Sequence, residues 1–130
     1  MNTNNKKIIH PELSYTLMGI LFDVQTQLGS KYLEKHYQRA VETKLKEVGI
    51  PYKREASVDL KFGNEFLGKF ILDFIIDNKI VLELKKTPKL DNDDIKQALR
   101  YLEATDLDLA IVANFNGRRL SYKRVIRATS

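Results

Sequence analysis

Apolar residues recur at helical spacing between Glu12 and Leu28, where Leu13, Leu17, Ile20, Leu21, Val24 and Leu28 fall on one stripe. Pro11 suits the first helical position, whose N–H has no partner in any helix, and Gly29-Ser30 marks the end. Leu33, Tyr37, Ala40, Val41, Leu45 and Val48 form a second stripe, stopped by Gly49 ahead of Pro51. The period then falls to two. Val58, Leu60 and Phe62 alternate with polar residues, Gly63-Asn64 turns the chain, and a long apolar run follows, so three antiparallel strands are expected between Lys53 and Lys86. Asp91 can cap a helix that turns Ile95, Ala98, Leu99 and Leu102 inward. Leu107 to Phe115 reads as a buried strand, and Asn116-Gly117 turns into a last basic segment. The expected order is α-α-β-β-β-α-β-(β). This is an α+β, α/β sandwich-like fold, with a central mixed sheet of about four to five strands flanked by helices. Residues 12–127 are expected to form a single domain after a tail over 1–11.

Composition narrows the chemistry. A chain of 130 residues with 43% hydrophobic content can bury its own core. The absence of cysteine excludes disulfides, thiolate metal sites and cysteine nucleophiles. No run approaches the roughly 18 apolar residues of a membrane span. The polar stretch from Asn2 to Lys7 does not resemble a secretory signal, so a cytoplasmic location is expected. His10 and His36 fit no metal-ligand spacing and read as surface or core residues. The formal charge is +5, and its distribution matters more than its total. Beyond Asp108 there is no acidic residue, while Arg118, Arg119, Lys123, Arg124 and Arg127 all lie there. Such a segment suits phosphate contacts and equally suits a solvated basic edge.

The informative stretch runs from Phe70 to Lys85, where charges interrupt otherwise apolar strands. A three-residue loop of Asp77, Asn78 and Lys79 would pair Ile76 with Ile80, Phe74 with Leu82 and Leu72 with Leu84 on one apolar face. Asp73 would then oppose Glu83 on the other face, with Lys85 on Glu83's side. Flanking Ile71, Ile75 and Val81 suggest that this face is covered as well, which raises the cost of two adjacent carboxylates. A bound cation would relieve that cost, and oxygen-only ligands favour a hard ion such as Mg2+, with Mn2+ as substitute. The same three residues also fit an inert ion-pair network. On the following helix, Gln97 and Tyr101 share a face, Gln97 within reach of a lysine, a water or a phosphate. Glu34 borders the second helical stripe, where it could approach the same place.

These elements together resemble the PD-(D/E)xK nuclease superfamily, and most closely its small proteins named for a GxxExxY motif. Leu28-Gly29 leads to Glu34 and Tyr37. Leu72-Asp73 precedes the hairpin, Glu83-Leu84-Lys85 is similar to the ExK element, Gln97 with Tyr101 resembles the QxxxY element, and Asn114-Phe115 resembles the closing strand. Lys31 stands where the motif has glycine, and Leu72 where the superfamily often has proline. The resemblance implies a restriction-endonuclease-like core and a metal-dependent nuclease acting on nucleic acid, DNA before RNA. It implies metal ligation by Asp73, Glu83 and the Leu84 carbonyl, with Glu34 as an additional acidic contributor and Lys85 orienting the attacking water. Gln97 would assist, and Tyr101, Arg118, Arg119, Lys123 and Arg124 would bind nucleic acid. The alternative is a non-catalytic nucleic-acid-binding or protein-interaction module on the same fold. Assembly as a homodimer or within a larger complex is open on either reading.

Overall fold

The computed structural model describes residues 9–128, so most of the expected tail lies outside the described residues. Two helices, α1 (Pro11–Leu28) and α2 (Glu34–Val48), precede three strands, β1 (Tyr52–Phe62), β2 (Glu65–Ile76) and β3 (Ile80–Lys85). Then come α3 (Asn92–Thr105), β4 (Leu109–Asn114) and β5 (Ser121–Ile126). The strands form one sheet in sequence order. Neighbours are antiparallel except β3 and β4, which run parallel because α3 carries the chain back across the sheet. Asp91 caps α3 as its sequence position suggests, accepting from the N–H groups of Asp93 and Asp94. Among the described residues, no helix is long and apolar enough to cross a membrane.

The sheet separates two cores. Ile80, Leu82 and Leu84 of β3 join Leu109, Ile111 and Ala113 of β4 against Leu17 and Leu21 of α1 and Tyr37, Val41 and Leu45 of α2. On the other face, Val81, Ala110 and Val112 meet Ala98, Tyr101 and Leu102 of α3. Strands covered on both sides favour apolar residues at successive positions, which is why β4 is apolar from Leu109 to Ala113. The buried stripe of α2 is shorter than its sequence suggests. Leu33 and Val48, at its two ends, are 60% and 53% exposed.

The hairpin between β2 and β3 has the expected loop. Asp77 and Asn78 take left-handed conformations, which short polar side chains tolerate, and Lys79 N–H donates to the Ile76 carbonyl at 2.9 Å. Ile76 pairs with Ile80, Ile75 with Val81 and Phe74 with Leu82. There the ladder stops, and the expected pairs Asp73–Glu83 and Leu72–Leu84 do not form. The expected apolar face also breaks at this level. Phe74 and Ile76 belong to the α1–α2 core, whereas Leu72 belongs to the α3 core, and Ile71, expected to be covered, is 53% exposed. The neighbouring strand turns over at the same level, with Tyr52 against the first core and Ala56 in the second. Between them Glu55 has φ 50°, a left-handed residue within a strand, and Glu55 and Asp73 are missing from the β1–β2 ladder. One such residue reverses the alternation of side chains. Past Asp73, the β1–β2 ribbon therefore leaves β3 and swings toward α3.

Candidate active site

Where β2 parts from β3 and its pairing with β1 lapses at Glu55 and Asp73, two backbone N–H groups lack strand partners, and the two carboxylates take them. Glu83, 5% exposed, accepts from Asp73 N–H through Oε2 at 2.7 Å. Asp73 accepts from Leu84 N–H through Oδ2 at 2.8 Å. Each strand thus supplies a side chain that completes the backbone of the other. A strand residue points its N–H and C=O the same way, so the Leu84 carbonyl also faces the gap.

From the α3 side comes the anchor for Lys85. Its Nζ donates to Gln97 Oε1 at 2.8 Å and lies 4.0 Å from Asp94 Oδ1. Asp94 was not singled out by sequence, and it also accepts from Asp91 N–H at 2.9 Å, closing the cap of α3. Lys86 is otherwise engaged, donating to the Ser30 carbonyl at 2.6 Å and lying over the Tyr37 ring. Tyr101 is 7% exposed and packs at 5.2 Å against Phe70, so it forms a floor beneath the site more than an open surface.

The α2 side contributes Glu34 in its first turn and, one turn on, Gln38. Gln38 Nε2 lies 3.4 Å from Glu34 Oε2 and 3.3 Å from Asp73 Oδ1. Its Oε1 accepts from Arg54 at 3.4 Å, and Arg54 is held by Glu42 at 2.9 Å, which Tyr52 also meets at 2.7 Å. Gln38 was likewise missed. The only signal available was its i, i+4 spacing from Glu34.

The electrostatics follow from burial. Removal from water raises the Glu83 pKa to about 8, the Asp73 charge adding to the effect and the Asp73 N–H and Lys85 opposing it. Asp73 is raised mainly by burial, against the Leu84 N–H and the charges of Lys85 and Arg54. Glu34 is raised by burial and then by Asp73. Tyr101 is raised by burial and by the Glu83 and Asp73 charges, which places it in the same field.

A divalent cation fits this donor set. Asp73 Oδ1, Glu83 Oε1 and the Leu84 carbonyl are hard oxygens at one gap, and Lys85 is anchored to Gln97 without forming a close pair with either carboxylate. Among the described residues, no three His, Cys, Asp or Glu side chains are gathered closely enough to hold a metal by themselves. The fit therefore rests on two carboxylates and a backbone oxygen, with Glu34 set apart behind Gln38.

The basic segment divides. Lys85 and Asn114 pair at the ends of β3 and β4, so the β4–β5 loop with exposed Arg118 and Arg119 lies at the same end of the sheet as Lys85. Buried Asn114 fixes the loop after β3, accepting from Thr87 N–H at 3.1 Å and donating to the Thr87 carbonyl at 2.9 Å. Lys123 is exposed on β5. Arg124 donates to Ser14 of α1, and Arg127 pairs with Asp106 and Asp108. These last two are tied into the fold.

A mixed sheet, helices on both faces, and a second and third strand parting around two carboxylates and a lysine define a restriction-endonuclease-like protein. The chain belongs to the PD-(D/E)XK nuclease superfamily, whose family model matches residues 11–125. Members of that superfamily generally use divalent metal ions. Among solved structures, it is similar to SSO0001, with TM-score 0.60 and 18% identity over 92% of this chain, and it spans 63% of that protein's length. It is also similar to an alkaline exonuclease (LHK-Exo) from Laribacter hongkongensis, with TM-score 0.53 and 15% identity over 95% of this chain and 72% of the other. Comparison with curated protein sequences finds no match.

Proposed function

We propose that this protein hydrolyses phosphodiester bonds of nucleic acid, with DNA as the substrate class and Mg2+ as the working cation, Mn2+ substituting for it. The observation that carries this reading is the pair of adjacent carboxylates in the β2–β3 gap, Glu83 buried and Asp73 partly buried, both raised in pKa and, among the described residues, without a close cationic partner. A fold retains such repulsion where a ligand relieves it.

Asp73, Glu83 and the Leu84 carbonyl would hold the cation, with Glu34 contributing from α2. When bound, it would supply Lewis acidity toward a phosphate oxygen and a more acidic water. Lys85 has three ammonium donors, of which Gln97 takes one. The others orient the attacking water and offset charge growing on the phosphate oxygens. Gln97 fixes the lysine, and Asp94 supports its charge from the same helix. Tyr101 and Phe70 keep the α3 side dry. Arg118, Arg119 and Lys123 would hold flanking phosphates at the open end of the sheet. The water oxygen bonds to phosphorus in line with the departing sugar oxygen, so no covalent enzyme intermediate is needed.

The test is cleavage of end-labelled single-stranded DNA, duplex DNA and RNA across Mg2+ and Mn2+ titrations, for the wild type and Glu83→Gln. Metal-dependent cleavage lost in the variant is expected. A wild type that cleaves none of the three and binds DNA with the usual salt dependence would establish the non-catalytic binding module instead.

A further inference from the structure

Arg54 can only donate hydrogen bonds, so its contact with Gln38 fixes which way that amide points. The oxygen faces the guanidinium, and the NH2 group faces Glu34 Oε2 and Asp73 Oδ1 at 3.4 and 3.3 Å. Arg54 is itself locked, its other nitrogen bonded to Glu42, with Tyr52 on the second oxygen of that carboxylate. The result is a neutral group with partly positive hydrogens wedged between two acids, on the oxygen of Asp73 that the backbone leaves free.

From this geometry we infer that Gln38, oriented by Arg54, is a positioning residue that stands in for the cation in the metal-free protein. It rests between Glu34 and Asp73 until a divalent ion takes the Asp73 oxygen. This rests on the cation reading of the site. The amide offsets part of the carboxylate repulsion in the absence of metal and keeps Glu34 from closing on Asp73. Metal binding then exchanges amide contacts for ion contacts, and the apparent affinity for the ion is lower by the free energy of those contacts. Removing the amide destabilises the metal-free state alone.

The measurement is melting temperature in chelator and across an Mg2+ titration for the wild type, Gln38→Ala and Arg54→Met. Gln27→Ala serves as control, since Gln27 makes the same i, i+4 contact with Asp23 on α1, away from the gap. Gln38→Ala is expected to melt lower than wild type in chelator and to converge with it at saturating Mg2+. Its metal-induced rise should exceed that of the wild type by about 3 °C, and its titration midpoint should fall about fivefold. Arg54→Met, which frees the amide to turn, moves the same way by less. Gln27→Ala keeps the wild-type rise. If the wild type responds to Mg2+ but Gln38→Ala shows an equal or smaller rise, the stand-in role is overturned and the cation reading survives. If the wild type shows no response to Mg2+ or Mn2+, both are overturned.

Discussion

Glu83→Gln in metal-free protein tests the central electrostatic argument without reference to any activity. Folding moves the Glu83 pKa from 4.5 to about 8, chiefly by burial. Across that interval the folded chain retains a proton that the unfolded chain has released. The stability associated with this proton is fully present below pH 4.5 and is lost as pH rises through 8. At 1.36 kcal/mol per unit, the displacement corresponds to about 5 kcal/mol. Water entering the gap, and the sharing of one titration between Asp73 and Glu83, bring the expected effect down to about 2–3 kcal/mol. Glutamine keeps the shape and one oxygen for the Asp73 N–H but never ionises. The difference in melting temperature, variant minus wild type, should therefore grow by about 10 °C between pH 5 and pH 9 in chelator. Calorimetry or thermal circular dichroism at half-unit steps gives the profile. Saturating Mg2+ should flatten the wild-type slope, because ligation requires the ionised carboxylate and releases its proton, and should leave Glu83→Gln unmoved. A difference that stays constant with pH would refute the claim that burial of Glu83 in an uncompensated pair shapes the site.

Lys85→Met should reduce cleavage about a hundredfold or more through kcat, while the melting temperature stays within a few degrees, since the ammonium is bonded to Gln97 and not to the carboxylates. A large fall in stability with modest loss of rate would indicate the ion-pair network instead. Arg118→Ala with Arg119→Ala should weaken DNA binding and lower the slope of log affinity against log salt by about one per residue, leaving the rate at saturation unchanged. Arg127→Ala should do the reverse, lowering the melting temperature with the salt slope intact, because its partners are Asp106 and Asp108.

The helices, the cap at Asp91 and the Asp77–Lys79 loop were legible because each rests on local chemistry: a 3.6-residue period, a side-chain acceptor at a helix start, and residues that tolerate positive φ. Asp73, Glu83 and Lys85 were legible because charge inside an apolar strand is costly and so conspicuous. The turnover of the strands at Asp73 was not. Leu72, Asp73 and Phe74 continue a regular alternation in the sequence, and the reversal is accompanied by a left-handed Glu55 in the neighbouring strand, a residue type that gives no hint of that conformation. Gln38 and Asp94 escaped for a different reason. Polar residues on a helix surface are the usual case, and only the distance to β2 or β3 sets these two apart.

The site coincides with the boundary between the two cores. On one side of Asp73 the strands serve the α1–α2 core, and on the other β1 and β2 serve the α3 core. Within that one cross-section the fold collects a left-handed Glu55, an interrupted ladder and two adjacent carboxylates, Glu83 buried and Asp73 partly so, each costing stability. The first two would not arise if the ladders ran on. Asp73 and Glu83 would then oppose each other on one face, and the Leu84 N–H and carbonyl would be occupied by β2. Parting the strands converts backbone groups into ligand donors and turns Asp73 toward α2 while Lys85 remains with α3. The helices on opposite faces can then both act on one gap, which a continuous sheet would have kept apart.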